Sequence, residues 1–60
     1  MYHVAVFIRC FNRLEQVQAL PVCTEHEALR YAAECRQGEV RRVYRGISLV
    51  SEYKDGVQVV

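Results

Sequence analysis

The sequence predicts an α+β fold, ββαβββ, in which an antiparallel five-stranded sheet of order 2-1-3-4-5 carries one helix packed on one face. Three observations predict it. A run rich in Val, Ile and Phe opens the chain, a capping box starts a helix near its middle, and a turn containing Asp55-Gly56 separates two strand-like segments near its end.

Tyr2 to Cys10 reads as the first strand, with Tyr2, Val4, Val6, Ile8 and Cys10 on one face and His3, Ala5, Phe7 and the following Phe11 on the other. Apolar side chains on both faces put it in the centre of the sheet. Phe11 to Arg13 supplies a turn, and Leu14 to Leu20 returns as a weaker strand that stops at Pro21. Proline cannot donate to a ladder, so this second strand belongs at an edge.

Thr24-Glu-His-Glu27 is a capping box, in which a hydroxyl and a carboxylate satisfy free backbone donors at a helix start. The helix is expected to run to Arg36 or Gln37, with Gly38 as the left-handed residue at its C-terminal end. Ala28, Leu29, Ala32 and Cys35 form a narrow stripe of mostly small residues that can sit close on a sheet. Glu25 and Glu27 near the start and Arg36 near the end follow the favourable order for the helix dipole.

The stretch GEVRRVYRG, Gly38 to Gly46, reads as a strand with Val40, Arg42 and Tyr44 on one face and Arg41, Val43 and Arg45 on the other. Each face mixes apolar and cationic side chains. Ile47 to Tyr53 follows, with Ile47, Leu49, Ser51 and Tyr53 sharing a face. Lys54-Asp55-Gly56 is expected to form a three-residue loop that pairs Tyr53 with Val57, in preference to a two-residue Asp55-Gly56 turn. A right-handed crossover from the second strand to the third sets the third beside the first, and one face of the sheet is left without a helix.

Sixty residues, 1–60, make one small domain. A composition that is 52% apolar and 25% charged is that of a folding chain rather than a disordered one. The formal net charge of +1 gives no global field toward nucleic acid or membrane, so any such binding needs a local cluster. Three cysteines, and an N-terminus without the pattern of a signal peptide, lead to the expectation of reduced thiols in a cytoplasmic protein. The longest uninterrupted apolar run, Val4 to Ile8, is too short for a transmembrane helix, and no membrane association is expected.

The chemistry of an enzyme is not visible. Cys23 and His26 have the spacing of half a zinc site, but Cys10, Cys35 and His3 are scattered and supply no second close pair. Cys23 precedes a helix start, where a thiol can be activated, yet no oxyanion arrangement accompanies it. Glu25 and Glu27 are accounted for by capping and the helix dipole. The expectation is a non-enzymatic protein with no cofactor and no metal. The clearest candidate site is a partner-binding surface of Arg36, Arg41, Arg42, Tyr44 and Arg45, extended by Arg9 or Arg13. Arginine forks and an interleaved tyrosine meet phosphates and bases, or acidic groups on a protein. Against this stands local pairing with Glu15, Glu39 or Glu52, worth roughly 0–1 kcal/mol per exposed pair.

The run VQALPVCTEHEALRYAAECRQGEVRRVYRG, Val17 to Gly46, resembles the strand, capped helix, glycine and basic strand of very small phage-encoded proteins that disable host machines. Coliphage inhibitors of bacterial RNA polymerase share its acidic helix start, Glu-Ala-Leu core and Arg-Val strand. Small type I-F anti-CRISPR proteins are similar in element order through the hairpin at Glu52 to Gly56. The resemblance implies occlusion: a phage or mobile-element protein in the host cytoplasm that binds a host protein or ribonucleoprotein complex and inhibits it. CRISPR interference is the first target it implies and RNA polymerase the second. A small nucleic-acid-binding module using the arginine strand and a homodimeric accessory protein are the alternatives.

Overall fold

Residues 1–60 are described by a computed structural model, in which β1 (Tyr2–Cys10), β2 (Arg13–Val22), α1 (Glu25–Ala33), β3 (Glu39–Arg45), β4 (Ser48–Lys54) and β5 (Val57–Gln58) follow one another. The strands form one antiparallel sheet in the order β2-β1-β3-β4-β5, as the hydrophobic pattern predicts. Helix α1 lies on one face of it. Val4, Val6 and Val43 on the sheet and Ala28 and Ala32 on the helix form the buried centre. The two alanines let the helix approach closely, and the β-branched valines fill the space in stiff, defined rotamers. Only 10 of 60 residues are buried, so each core side chain carries a large share of a small stability.

Thr24 caps α1 by accepting the Glu27 N–H at 3.2 Å, while its hydroxyl donates to the Glu27 carboxylate, also at 3.2 Å. The carboxylate therefore takes the hydroxyl rather than the Thr24 backbone donor. The helix ends at Ala33, short of the expected Arg36 or Gln37. Its last turn tightens as Glu34 N–H reaches Tyr31 O at 3.2 Å and Cys35 N–H reaches Ala32 O at 3.1 Å. Arg41 then supplies the charge and the donor at this end, through a 2.8 Å bond to the Tyr31 carbonyl. Gly38 is left-handed, at φ 87°, but it serves the turn into β3 instead of capping the helix.

Three further expectations are corrected. Strand β2 continues through Pro21 to Val22, with Pro21 opposite His3, because an edge strand has no outer neighbour to miss the absent N–H. In β4 the register shifts between Val43 and Tyr44, so Leu49 pairs with Tyr44 on the open face while Ser51 and Tyr53 face the helix side. The bulge leaves Val50 to pack against the core. The last hairpin uses the two-residue turn, pairing Tyr53 with Gln58 and Lys54 with Val57.

Asp55 and Gly56 stand at φ 54° and 85°, the mirror-image turn whose twist matches the flanking strands. Tertiary bonds make that choice: Asp55 N–H donates to Glu39 O at 3.1 Å, and its carboxylate accepts the Gly38 N–H at 2.7 Å. Gln58 is thereby turned to the helix side, where its amide donates to the Ser51 hydroxyl at 3.1 Å. Val59 and Val60 both direct their N–H groups to Glu52 O, at 2.8 and 3.3 Å. No helix is long and apolar enough to cross a membrane.

Candidate functional site

The two faces of β3 separate its arginines by what lies opposite. Arg41, Val43 and Arg45 pair with Val6, Val4 and Tyr2 on the helix side, and Val40, Arg42 and Tyr44 pair with Phe7, Ala5 and His3 on the open side. The mixed pattern thus resolves into one covered and one uncovered surface.

Arg41 is 8% exposed and is consumed inside the fold. Besides the Tyr31 carbonyl it donates to Glu39 at 3.1 Å, and its guanidinium carbon lies 4.6 Å from the centre of the Tyr31 ring. Its Nε is buried without a partner. A cation desolvated to this degree is held by its bonds and is closed to a docking partner. Glu39 in turn accepts the Arg36 backbone N–H at 2.9 Å. That bond first, and then the Arg41 charge, hold its carboxyl below the usual value of 4.5 against the opposing effect of burial.

On the open side, Arg42 donates through Nε to Glu52 at 2.7 Å and stacks over Phe7, with its guanidinium carbon 4.7 Å from the ring centre. The bond to Glu52 raises the Arg42 pKa above its ordinary value. His3 and Tyr44 stack with centroids 5.1 Å apart and planes 16° from parallel. Arg45 is exposed at the far end of β3, opposite Tyr2, and Arg36 is exposed in the connection before β3. The five candidates therefore do not form one patch. Arg42 and Tyr44 share the open face, Arg41 is internal, and Arg36 and Arg45 lie apart near opposite ends of β3.

A groove of about 400 Å³ on the open face lies at the end of the sheet where the β1–β2 hairpin turns. Four cations line it, Arg9, Arg13, Arg42 and Lys54, against one carboxylate, Glu52, which already bonds Arg42. Val40 is buried at its floor, and Phe11 and Leu14 are exposed at its rim. Arg9 makes only a 3.8 Å contact with Asp55, both side chains being well exposed, whereas Arg13 and Lys54 have no acidic partner within salt-bridge distance.

Sequence reasoning identified Arg9 and Arg13 as extensions of a β3 cluster and placed Phe11 on a face of the first strand with Phe7, but missed Lys54 and Leu14. What brings these residues together is the pairing register of β1, β3 and β4, which residue type and spacing do not give. Leu14 sits opposite Arg9, while β3 places Val40 between Phe7 and Lys54.

Phe11 is 94% exposed and occupies the left-handed region at φ 59°. It is the first of the two residues, Phe11 and Asn12, that join Cys10 to Arg13. Glycine or asparagine is the usual occupant where φ must be positive, and a bulky aromatic there is strained.

Cys10 and Cys23 are exposed and Cys35 is buried, all three as free thiols. The Cys35 sulfur contacts Glu39 O at 3.1 Å, with Arg36 O and Tyr53 O at 3.6 and 3.7 Å, an environment that packs it in place. No hydrogen bond joins a cysteine to a histidine or carboxylate, and no three His, Cys, Asp or Glu side chains gather as metal ligands. What the open face offers is anion binding and stacking.

No family model matches the chain, and no curated protein or solved structure matches it significantly.

Proposed function

We propose that this chain is a non-enzymatic binding protein that inhibits a host macromolecular complex by docking on it through the open face of its sheet. The observation that carries this reading is the local charge of the open face, where the groove is lined by four cations against one carboxylate. A protein of net charge +1 thereby carries a locally basic surface. The same face carries Tyr44, Phe7 and Arg42, the residue types that anchor interfaces. Stacking of Tyr44 on His3 and of Arg42 on Phe7 holds these side chains before a partner arrives, so less side-chain entropy is lost on docking.

The resemblance to phage-encoded inhibitors makes a type I-F CRISPR interference complex the first target to test and bacterial RNA polymerase the second. The test is co-elution with each purified complex, together with target cleavage or transcription assays. One complex is expected to retain the protein and lose activity, and Tyr44→Ala is expected to release it while Arg45→Ala does not. Absence of co-elution from both complexes, with both activities unchanged, overturns the reading.

A further inference from the structure

We propose that the groove beside the β1–β2 turn is a binding site for a single-stranded nucleic acid segment, with Phe11 stacking on an unpaired base and Arg9, Arg13 and Lys54 meeting the flanking phosphates. The inference rests on the reading that the open face is the working surface, and it names the occupant of one part of that face.

Three independent features converge on the groove. The first is charge complementarity. Of the four lining cations, Arg42 is neutralised by Glu52 at 2.7 Å, which leaves Arg13 and Lys54 free and Arg9 held only by a 3.8 Å contact. Three available cations about a groove of about 400 Å³ suit a chain of phosphates, which supplies several charges at regular spacing.

The second feature is Phe11. An aromatic ring that is 94% exposed and sits at φ 59° gains nothing from the fold, since the turn would form with less strain around glycine. Strain retained at one exposed side chain points to a function for that side chain. A flat apolar ring beside cations has the composition of a stacking platform, where every base offers a π-face and the backbone tracks the positive charge.

The third is shape. The groove lies on an open sheet face at a hairpin tip, and the one helix, of 9 residues, is packed against the opposite face. No helix is presented for insertion into the major groove of a duplex, and β1 is paired on both sides within a five-stranded sheet, so β1 and β2 do not form a free two-stranded ribbon. Unpaired bases are accessible to a lone ring at the mouth of a shallow site, which selects a single strand over double-stranded DNA.

The test is fluorescence anisotropy with labelled oligo(dT) and oligo(U) of about twelve nucleotides, a length within the site sizes of single-strand binders. Duplex DNA and poly-glutamate serve as competitors. Binding is expected to weaken linearly in log affinity against log salt. Arg13→Ala should reduce that slope by about one, and Phe11→Gly should weaken binding at least about tenfold with the slope unchanged.

Phe11→Gly relieves a strained turn, so loss of the fold does not confuse the result; Arg45→Ala, at the other end of β3, is the neutral control. No binding at low salt, equal affinity of Phe11→Gly, or equal competition by poly-glutamate or duplex each overturns the proposal. Co-elution with a host complex that survives Phe11→Gly and nuclease treatment would leave the docking reading standing while this one fails.

Discussion

Gly38 donates its backbone N–H to the Asp55 carboxylate at 2.7 Å, which ties the turn entering β3 to the turn between β4 and β5. The carboxylate also lies 3.8 Å from Arg9 at the edge of the groove. One side chain thus holds two turns together and tempers the charge of the open face. Asp55→Ala should cost about 1–2 kcal/mol by removing a charge-assisted bond from a residue already at φ 54°. Asp55→Asn, which tolerates the left-handed region and keeps an acceptor, should cost less than about 1 kcal/mol. It should also raise affinity for a polyanion roughly two- to threefold at low salt by freeing Arg9. Urea denaturation and a salt-dependent binding series separate the two effects.

Gly56 faces a double constraint. Its φ is 85°, and a Cβ added there would lie 3.2 Å from the Cys35 carbonyl oxygen. Gly56→Ala should destabilise by about 1–2 kcal/mol or more, through backbone strain and displacement of the segment that seats Cys35. Gly46 is also left-handed, at φ 64°, but a Cβ there meets nothing within 4 Å. The same substitution at Gly46 should therefore cost less, and comparing the two urea midpoints isolates the contact.

Arg41 and Arg42 are neighbours in sequence with opposite duties. Arg41→Met should lose about 2–3 kcal/mol, because the Tyr31 carbonyl and Glu39 lose a buried charged partner. Arg42→Met should lose about 1 kcal/mol or less, its bond to Glu52 being partly solvated. Partner binding should respond in the reverse order once both variants are assayed below their unfolding midpoints. Thermal unfolding paired with a binding titration checks the exchange of roles.

Glu39 gives the fold an acid-sensitive contact. Its folded-state pKa lies below the ordinary 4.5, so the ionised form stabilises the fold fully above that pH, and the contribution is lost as pH falls through the folded value. Glu39→Gln should lower stability at pH 7 and flatten the part of the acid limb that lies below about 4.5. Urea midpoints measured from pH 7 down into that limb test the sign; an unchanged slope would exclude Glu39 as its source.

Phe11 sets function against stability. Phe11→Gly should raise stability by about 0.5–1 kcal/mol, since glycine reaches φ 59° without a Cβ clash. The gain is smaller than the full strain because glycine also loses more backbone entropy on folding. A higher melting temperature accompanied by weaker binding is the expected pair of results.

The sequence by itself determined the element order and the sheet order. Apolar residues on both faces of Tyr2 to Cys10 require a central strand, the Thr24 capping box requires a helix start, and the handedness of the crossover sets β3 beside β1. These are local or topological rules, readable from residue type and spacing. Tertiary structure decided what those rules leave degenerate. A three-residue and a two-residue loop both fit Lys54-Asp55-Gly56 locally; the bonds of Asp55 to Gly38 and Glu39 selected the shorter one and turned Gln58 toward the helix side.

The end of α1 was decided in the same way, by Arg41 arriving from β3 at the Tyr31 carbonyl. Most consequential was the division of the arginines. Alternation along β3 showed that Arg41 and Arg42 point apart, but only the packed helix decides which of the two is buried. The groove joins Arg9 and Arg13 to Lys54 across β3, from positions more than forty residues apart in the chain. No local pattern encodes that proximity, because it arises from the register of three strand pairings among four strands.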